Sequence, residues 1–309
     1  MPKRSSASSA GFHFYNMYQC CPRKMYLSFV CRLETKNAAP PLVFGTAFHE
    51  MIAAWYKGSK LTECQTIGLD ILKSERNRLE VEDYDRSVYR LPILFKHWVD
   101  TFGERDLRNL KILGVEKEIR KKIPGTEFTI TGRIDLIARD VYSEDYIYDH
   151  KTSSYSVTLT ADALFYGDQV TTYMWLTEGW RKNLKPKGLI PDIAYWSRQA
   201  KNETNITCTR PDVIYRTSEE IQSFVKGLSQ TVSEISQKVS AYTTGHDADT
   251  LFPRNTHYCL AYNRRCEFAD ICRRNITPRD KPPRGFRTRT GVKTVADITK
   301  GVDDGISIS

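Results

Sequence analysis

Residues 127–139 read EFTITGRIDLIAR and residues 146–152 read YIYDHKT, and these two stretches determine the expected fold. Both are rich in β-branched and aromatic residues, which predicts two β-strands separated by a polar turn. Side chains alternate between the two faces of a strand, so Asp149 and Lys151 lie on the same face of the second strand. We expect a hairpin that brings Asp135 of the first strand beside Asp149.

The sequence around this hairpin predicts a mixed α/β fold. Residues 112–123 are expected to add a strand to an antiparallel meander, and two short helices interrupted by Pro22 are expected near the amino end. The expected architecture is a central mixed β-sheet flanked by helices. Periodicity and composition predict further helices at 44–56, at about 61–110 with a break at Pro92, at 159–182 and at 218–242, and strands at 193–199 and 205–216.

The chain is expected to contain one folded domain over residues 11–275, with a helical insertion at about 61–110. Residues 1–10 are an expected flexible arm, and residues 276–309 a flexible basic tail.

The 46 Lys and Arg residues exceed the 37 Asp and Glu residues, and the resulting charge of +9 favours a polyanionic partner. No apolar run approaches the about 18 residues of a membrane helix, and the amino end lacks the apolar core of a secretory signal. We expect a cytoplasmic protein without a membrane partner.

The expected carboxylate pair, Asp135 and Asp149, indicates metal chemistry. Two adjacent carboxylates are costly unless a cation neutralises them, and their oxygen atoms suit Mg²⁺ or Mn²⁺. A bound ion can activate water and stabilise charge on a phosphodiester, while Lys151 could orient that water or neutralise the phosphate. The alternative is an exposed hairpin with a surface ion pair worth about 0–1 kcal/mol. The triplet alone is weak support, because Glu34-Thr35-Lys36 has the same form.

Two helical patterns could complete such a site. Helical spacing places Gly45 and Ala53 on the same face as His49, and small neighbours would let this face approach a sheet closely. An imidazole beside two carboxylates is a credible third ligand for Mn²⁺ or Mg²⁺, although a lone histidine is more often a packing residue. Gln169 and Tyr173 form an i,i+4 pair that could hold DNA or the active-site lysine.

In chain order these motifs resemble the RecB-type branch of the PD-(D/E)XK nucleases. Within that branch the chain is similar to the AddB nuclease domain, to CRISPR-associated RecB-like exonucleases and to their phage relatives, over about residues 12–275. The resemblance implies a restriction-endonuclease-like α/β fold. The motifs that carry it are Gly45-x-x-x-His49, Gly132-x-x-Asp135, Asp149-x-Lys151 and Gln169-x-x-x-Tyr173.

The resemblance also implies a role for each of these residues. Lys151 would be the catalytic lysine, while Gln169 and Tyr173 would position the substrate. His150 stands where the family usually has Tyr or Phe, and its side chain should face away from the site because strand side chains alternate. The implied ligands of the divalent metal are His49, Asp135, Asp149 and the backbone carbonyl of His150.

The eight cysteines are too few for a disulfide scaffold, yet three of them cluster near the carboxyl end. Their gaps of six and five residues differ from the about 2–4 residues typical of zinc ribbons. Four thiolates suit an iron–sulfur cluster, so a fourth cysteine must come from elsewhere in the chain. The three clustered residues are Cys259, Cys266 and Cys272.

By the same resemblance, the segment Cys21–Leu27 looks like the one that supplies the lone amino-terminal cysteine of a four-iron four-sulfur cluster. Cys21 would then complete a staple with the three late cysteines, although their spacing departs from the commonest family pattern. Pro22 should force Cys21 out of the α conformation and leave Cys20 inside the helix. A structural Zn²⁺ site and buried unligated cysteines are the alternatives.

The leading functional hypothesis is a metal-dependent DNA exonuclease of recombination, repair or phage DNA processing. A structure-selective endonuclease and a non-catalytic iron–sulfur DNA-binding subunit are the alternatives.

Basic residues alternate with Tyr18, Tyr26, Tyr258, Tyr262 and Phe268 near the expected staple. This mixture fits DNA with single-stranded ends, but it also fits an ordinary surface over buried rings. The sequence has no Gly-rich loop ending in Gly-Lys-Ser/Thr, so we expect any helicase or annealing partner to be another chain.

Overall fold

A computed structural model describes residues 11–182, 184–199, 205–261, 264–274 and 282–289. The expected arm at 1–10 lies outside the described residues, as does the expected tail except for 282–289. The chain divides into two compact units. The first comprises Met1–Lys36, Arg120–Gly132 and Gln222–Ser309, and the second comprises Asn37–Ile119 and Arg133–Ile221.

Helices and strands of the described residues are numbered along the chain. The helices are α1 Phe12–Cys20, α2 Pro22–Met25, α3 Pro40–Tyr56, α4 Leu61–Ser74, α5 Val81–Trp98, α6 Glu104–Asn109, α7 Val157–Phe165, α8 Asp168–Thr177, α9 Ser218–Thr243, α10 Ala248–Leu251 and α11 Ala269–Arg273. The strands are β1 Leu33–Thr35, β2 Lys111–Lys122, β3 Thr129–Arg139, β4 Asp145–Ser153, β5 Gly188–Trp196, β6 Ile206–Thr209 and β7 Phe286–Thr288.

Five strands form a mixed sheet in the order β2-β3-β4-β5-β6. Strand β4 pairs antiparallel with β3, where Leu136 lies opposite Tyr148, and parallel with β5, where His150 lies opposite Asp192. A parallel pair requires a crossover connection, and here α7 and α8 provide it. The predicted central mixed sheet with flanking helices is therefore present in the described part of the chain.

Several predicted boundaries are wrong. The single helix expected at 159–182 is two helices, because Gly167 adopts an extended conformation between α7 and α8. Strand β5 begins five residues earlier than expected, and the strand expected at 205–216 ends at Thr209, before the ring of Pro211.

Helix α5 continues through Pro92, although the sequence predicted a break there. Burial of its side chains, among them Leu91, Phe95 and Trp98, offsets the lost hydrogen bond.

Helices α3, α4 and α5 of the second unit pack around one apolar core. The stretch expected to be helical at 61–110 contains α4, α5 and α6, and α4 and α5 both pack against α3. Helix α3 begins at Pro40, whose ring fixes φ and whose missing N–H has no partner to lose in the first turn. The core side chains include Phe48, Met51, Phe95, Trp98 and Leu136.

In the first unit, aromatic packing and a strand pair connect the amino-terminal segment, residues 11–36, with the carboxyl-terminal segment, residues 222–289. Tyr26 stacks on Phe252 with ring centroids 4.9 Å apart, and Phe268 stacks on Phe286 at 5.6 Å. Strand β1 pairs antiparallel with β7, a pairing that the sequence did not predict. The two expected amino-terminal helices are present as α1 and α2. Between them Cys21 is extended, with φ −161° and ψ 104°, as the following proline predicts.

The second unit contains a buried ion network behind β4. Asp192 on β5 is only 1% exposed and accepts hydrogen bonds from Arg210 at 2.8 Å and from Trp98 Nε1 at 3.0 Å. Arg210 also donates to Asp106 at 2.8 Å, and the Tyr56 hydroxyl donates to Asp106 at 2.7 Å. Burial alone would raise the pKa of Asp192, but Arg210 and His150 together outweigh burial and hold the pKa at about 2.

None of the helices in the described ranges is both long enough and apolar enough to span a membrane.

Replacing Asp192 should destabilise the protein far more than replacing a surface aspartate. Asp192→Ala leaves buried donors of Arg210 and Trp98 without an acceptor, which costs about 3–5 kcal/mol for a broken buried pair. Asp100→Ala removes an exposed ion pair with Lys96, which is worth about 1 kcal/mol or less. Denaturant titration measures both free energies of unfolding. Equal losses in the two variants would contradict the stabilising role of the network.

Candidate metal and catalytic centre

The hairpin of β3 and β4 brings Asp135 and Asp149 together. The observed register, which pairs Leu136 with Tyr148, places Asp135 opposite Asp149 at the next position. Both residues are buried, at 9% and 1% exposed. The backbone amide of His150 donates a hydrogen bond of 2.9 Å to Asp135 Oδ2. One carboxylate is therefore fixed by the main chain of the strand that carries the other.

His49 on α3 lies beside this pair. Its Nδ1 is 3.4 Å from Asp135 Oδ1 and 4.0 Å from Oε1 of Glu116. One ligand atom from each of these three side chains lies within 4.8 Å of the other two, a spacing that could hold a metal ion. Imidazole nitrogen with carboxylate oxygen is a donor set compatible with Mn²⁺ and Mg²⁺.

Glu116 is a component that the sequence analysis missed. It lies on β2 within a run of alternating charges, a pattern that resembles an ordinary solvent-facing strand. In the structure Glu116 has φ 51°, a left-handed conformation that non-glycine residues rarely adopt. Such strain concentrates at functional sites, and here it accompanies a carboxylate that faces His49 and lies 3.7 Å from Arg133.

Lys151 and the Gln169–Tyr173 pair contact the other carboxylate. The Lys151 ammonium forms an ion pair with Asp149 Oδ2 while remaining 29% exposed. Gln169 Nε2 donates to Asp149 Oδ1 at 3.3 Å and to the Tyr173 hydroxyl at 3.0 Å. In this structure the i,i+4 pair on α8 therefore holds the acid rather than the lysine.

The buried charges shift one another's pKa in opposite directions. Burial raises the pKa of Asp149, and Lys151 offsets only part of that effect. Burial also opposes ionisation of Asp135, but His49, with smaller contributions from His150 and Lys151, outweighs burial and lowers the pKa of that carboxyl. Conversely, burial disfavours charge on His49, and Asp135 outweighs it and raises the pKa of the ring. The site thus stabilises the Asp135 carboxylate with positive charge.

The ring of His150 lies on the opposite face of β4, as strand alternation predicts. Its Nδ1 is 3.2 Å from Asp192 Oδ2, and the ring stacks on Tyr56 at 6.1 Å between centroids. The alternative triplet has a different environment, since Glu34 accepts a hydrogen bond of 2.6 Å from Arg287 in the β1–β7 pair.

Residues around the clustered cysteines lie close to Cys21. The backbone N–H of Asn255 points at Cys21 Sγ, 3.5 Å away, and the Asn255 side chain donates to the carbonyl of Cys20 at 2.9 Å. Cys266 donates its backbone N–H to the Cys259 carbonyl at 2.8 Å. Burial is the main cause that raises the pKa of the Cys266 and Cys272 thiols, and Cys21 adds to the rise in both.

The aromatic residues expected to bind bases near these cysteines are mostly core residues. Tyr18, Tyr26 and Phe268 are 5%, 0% and 3% exposed, so they cannot stack on DNA. Tyr258 is 42% exposed, whereas Tyr262 lies outside the described residues. For these three buried rings the alternative, an ordinary surface over buried aromatics, is correct.

Comparison with known proteins identifies the family. Residues 13–273 match the PD-(D/E)XK nuclease superfamily, a span that contains both acids, His49 and Lys151. No curated protein matches the chain. A solved structure described as "Crystal structure of SSO0001" shares 15% identity and covers 75% of this chain and 96% of its own, with a TM-score of 0.31. On the family match, this chain belongs to the PD-(D/E)XK nuclease superfamily.

Proposed function

We propose that this chain is a Mg²⁺- or Mn²⁺-dependent DNA exonuclease of recombination, repair or phage DNA processing. The observation that carries the proposal is the group His49, Glu116 and Asp135, with ligand atoms within 4.8 Å, beside the Asp149–Lys151 ion pair. Metal-assisted hydrolysis of phosphodiesters uses a divalent cation and a nearby positive charge, and this arrangement supplies ligands for the cation and the Lys151 ammonium as the charge. The RecB-type motifs favour an exonuclease that acts on DNA with single-stranded ends and works with a helicase or annealing protein.

The donor set fits a hard divalent cation. Its side-chain ligands would be His49, Glu116, Asp135 and Asp149, with the backbone carbonyl of His150 as a further oxygen. Carboxylate and carbonyl oxygens are the preferred ligands of Mg²⁺, and Mn²⁺ also accepts imidazole. When bound, the ion would lower the pKa of a water molecule and stabilise charge on the phosphate.

The remaining residues of the site orient and neutralise charge. Lys151 is partly exposed, so its ammonium can reach a phosphate oxygen and stabilise the negative charge that grows in the transition state. The amide of Gln169 holds Asp149 Oδ1, and the buried Tyr173 hydroxyl accepts from the same amide. This pair therefore fixes the rotamer of Asp149 and, through it, the position of Lys151.

Lys151→Ala should abolish cleavage while DNA binding persists, because Lys151 acts on the transition state and other phosphate contacts supply most of the affinity. We expect a loss of at least about 10²–10³-fold, as for removal of one charge-stabilising donor. End-labelled single- and double-stranded DNA is incubated with Mg²⁺, Mn²⁺ or EDTA. Lys36→Ala, in the alternative triplet, is the matched control and should keep full activity.

Three outcomes would contradict this assignment. Near-wild-type cleavage by Lys151→Ala would exclude the lysine from catalysis. Cleavage of circular DNA without free ends would favour a structure-selective endonuclease over an exonuclease. Binding of DNA by the wild type without any metal-dependent cleavage would favour a non-catalytic DNA-binding subunit.

Glu116→Gln should weaken metal use without removing the side chain's volume. The amide of the new glutamine lacks the negative charge of the Glu116 carboxylate. Even the loss of a residue that only hydrogen-bonds to a metal ligand lowers metal affinity by about 10–100-fold. We therefore expect the Mn²⁺ concentration for half-maximal cleavage to rise at least about tenfold, with recovery at high Mn²⁺. Glu118→Gln, at an exposed position on the same strand, is the control. An unchanged metal titration for Glu116→Gln would remove Glu116 from the ligand set.

We also propose that Cys21, Cys259, Cys266 and Cys272 hold a four-iron four-sulfur cluster. The proximity of Cys21 to Asn255, and its effect on the thiols of Cys266 and Cys272, support the set. Four thiolates on one Zn²⁺ ion, each about 2.3 Å from it, would lie about 3.8 Å apart. Among the described residues no three cysteine sulfurs lie within 4.8 Å of one another, so the spacing that one Zn²⁺ ion requires is not already formed there.

Cys21→Ser should bleach the protein, whereas Cys20→Ser should not. Cys21 is extended at the end of α1, while the Cys20 thiol lies in α1, 3.7 Å from Asn16 Oδ1. The wild type should be brown and contain iron and acid-labile sulfide, measured together with the melting temperature. If the wild type, purified without oxygen, is colourless and contains stoichiometric zinc, the site is a zinc site and not an iron–sulfur cluster. Bleaching of Cys20→Ser alone would show that the neighbouring cysteine is the ligand.

A further inference from the structure

Helix α7 and its flanks carry a concentration of exposed apolar side chains. Tyr155, Leu159, Phe165 and Tyr166 are 61%, 67%, 51% and 82% exposed. We call these four residues the ring surface, because three of them present aromatic rings to solvent. The rings of Phe165 and Tyr166 pack edge to face at 5.0 Å between centroids. Within the described chain, no comparably short segment holds as many exposed large apolar side chains.

Along the chain, the ring surface lies between Lys151 and Gln169, two residues of the proposed site. Tyr155 follows Lys151 by four residues, and Tyr166 precedes Gln169 by three. Thr160 of α7 donates a hydrogen bond of 2.9 Å to the hydroxyl of Ser153, which ends the catalytic strand β4. Helix α7 is thus the direct connection from the strand of Asp149 and Lys151 to the helix of Gln169, and it is tied to the end of that strand.

One arginine side chain lies against the rings, and the backbone of a second arginine lies next to them. The guanidinium of Arg216 lies 5.8 Å from the Phe165 ring centroid and donates to the Thr171 hydroxyl at 2.9 Å. At the other end, the exposed Arg198 donates its backbone N–H to Ser154, next to Tyr155. Residues 153–168 contain two acidic residues, Asp162 and Asp168, and Arg216 partly offsets the rise that burial causes in the pKa of Asp168. Rings flanked by cations are complementary to a nucleic acid strand, whose bases stack on rings and whose phosphates need positive charge.

We propose that the ring surface stacks the unpaired bases of a single DNA strand and guides that strand to the catalytic site. This inference rests on the proposed nuclease function and adds the substrate form that the site takes. Bases in a duplex already stack on their neighbours, so exposed rings beside the catalytic residues contribute affinity chiefly to an unpaired strand. The occupant is therefore single-stranded DNA rather than duplex DNA.

The test compares normal and abasic oligonucleotides of the same length and charge. Full-length Tyr155→Ala and Tyr166→Ala bind fluorescent single-stranded DNA in EDTA, so that no strand is cut. Each substitution should weaken binding by about 5–150-fold, because one base–ring stack is worth about 1–3 kcal/mol. Binding to the abasic strand should be weak and unchanged, because it keeps the phosphates but has nothing to stack.

Tyr142→Ala is the matched control. Tyr142 is 81% exposed and lies in the turn before β4, and the nine-residue strand separates that turn from Ser153 by about 27 Å. Tyr142→Ala should bind both strands as the wild type does. Melting temperatures confirm that all three variants fold.

Two results would overturn the proposal. Unchanged binding of single-stranded DNA by Tyr155→Ala and Tyr166→Ala would show that the rings do not contact bases. A change of oligomeric state on either substitution, measured by light scattering, would assign the ring surface to a second copy of the chain. Failure of this proposal would leave single-stranded DNA binding by both tyrosine variants unchanged while the wild type still cleaves DNA, whereas failure of the nuclease assignment would appear as a wild type that cleaves no DNA with Mg²⁺ or Mn²⁺.

Discussion

The burial of two adjacent carboxylates is the constraint on which the second unit depends. Asp135 and Asp149 face each other across the β3–β4 hairpin, where water cannot screen their repulsion. Two positively charged groups offset this repulsion: His49 of α3 lies beside Asp135, and Lys151 of β4 pairs with Asp149. A divalent cation would complete this neutralisation. The costly pair therefore explains why a helix and three strands converge at one point.

Strand β4 serves the site with one face and the core with the other. Asp149 and Lys151 point to the site, whereas His150 between them points to Asp192. A slip of one residue in the β4–β5 register would exchange the two faces and bury Lys151 against the core. The network of Asp192, Arg210 and Asp106 makes such a slip costly, so it fixes the positions of Asp149 and Lys151 without contacting them.

The crossover between β4 and β5 determines which residues follow the end of β4. A parallel pair requires a long connection, and a chain leaving the end of β4 must run over the adjacent surface. Here that connection supplies the amide that holds Asp149, from α8, and the exposed rings of α7. Topology thus places the exposed rings and the Gln169 amide on the same connection, which leaves the end of β4.

The sequence alone determined the features that depend on near neighbours. Strand alternation predicted the hairpin, the shared face of Asp149 and Lys151, and the opposite direction of His150, while Pro22 predicted the extended Cys21. Only the tertiary structure decided which distant groups meet. Glu116 reaches His49 through an unusual φ, and Arg210 joins an acid 104 residues away. Such contacts follow from long-range packing, which no local periodicity records, and the same packing decided that Tyr18 and Tyr26 lie in the core.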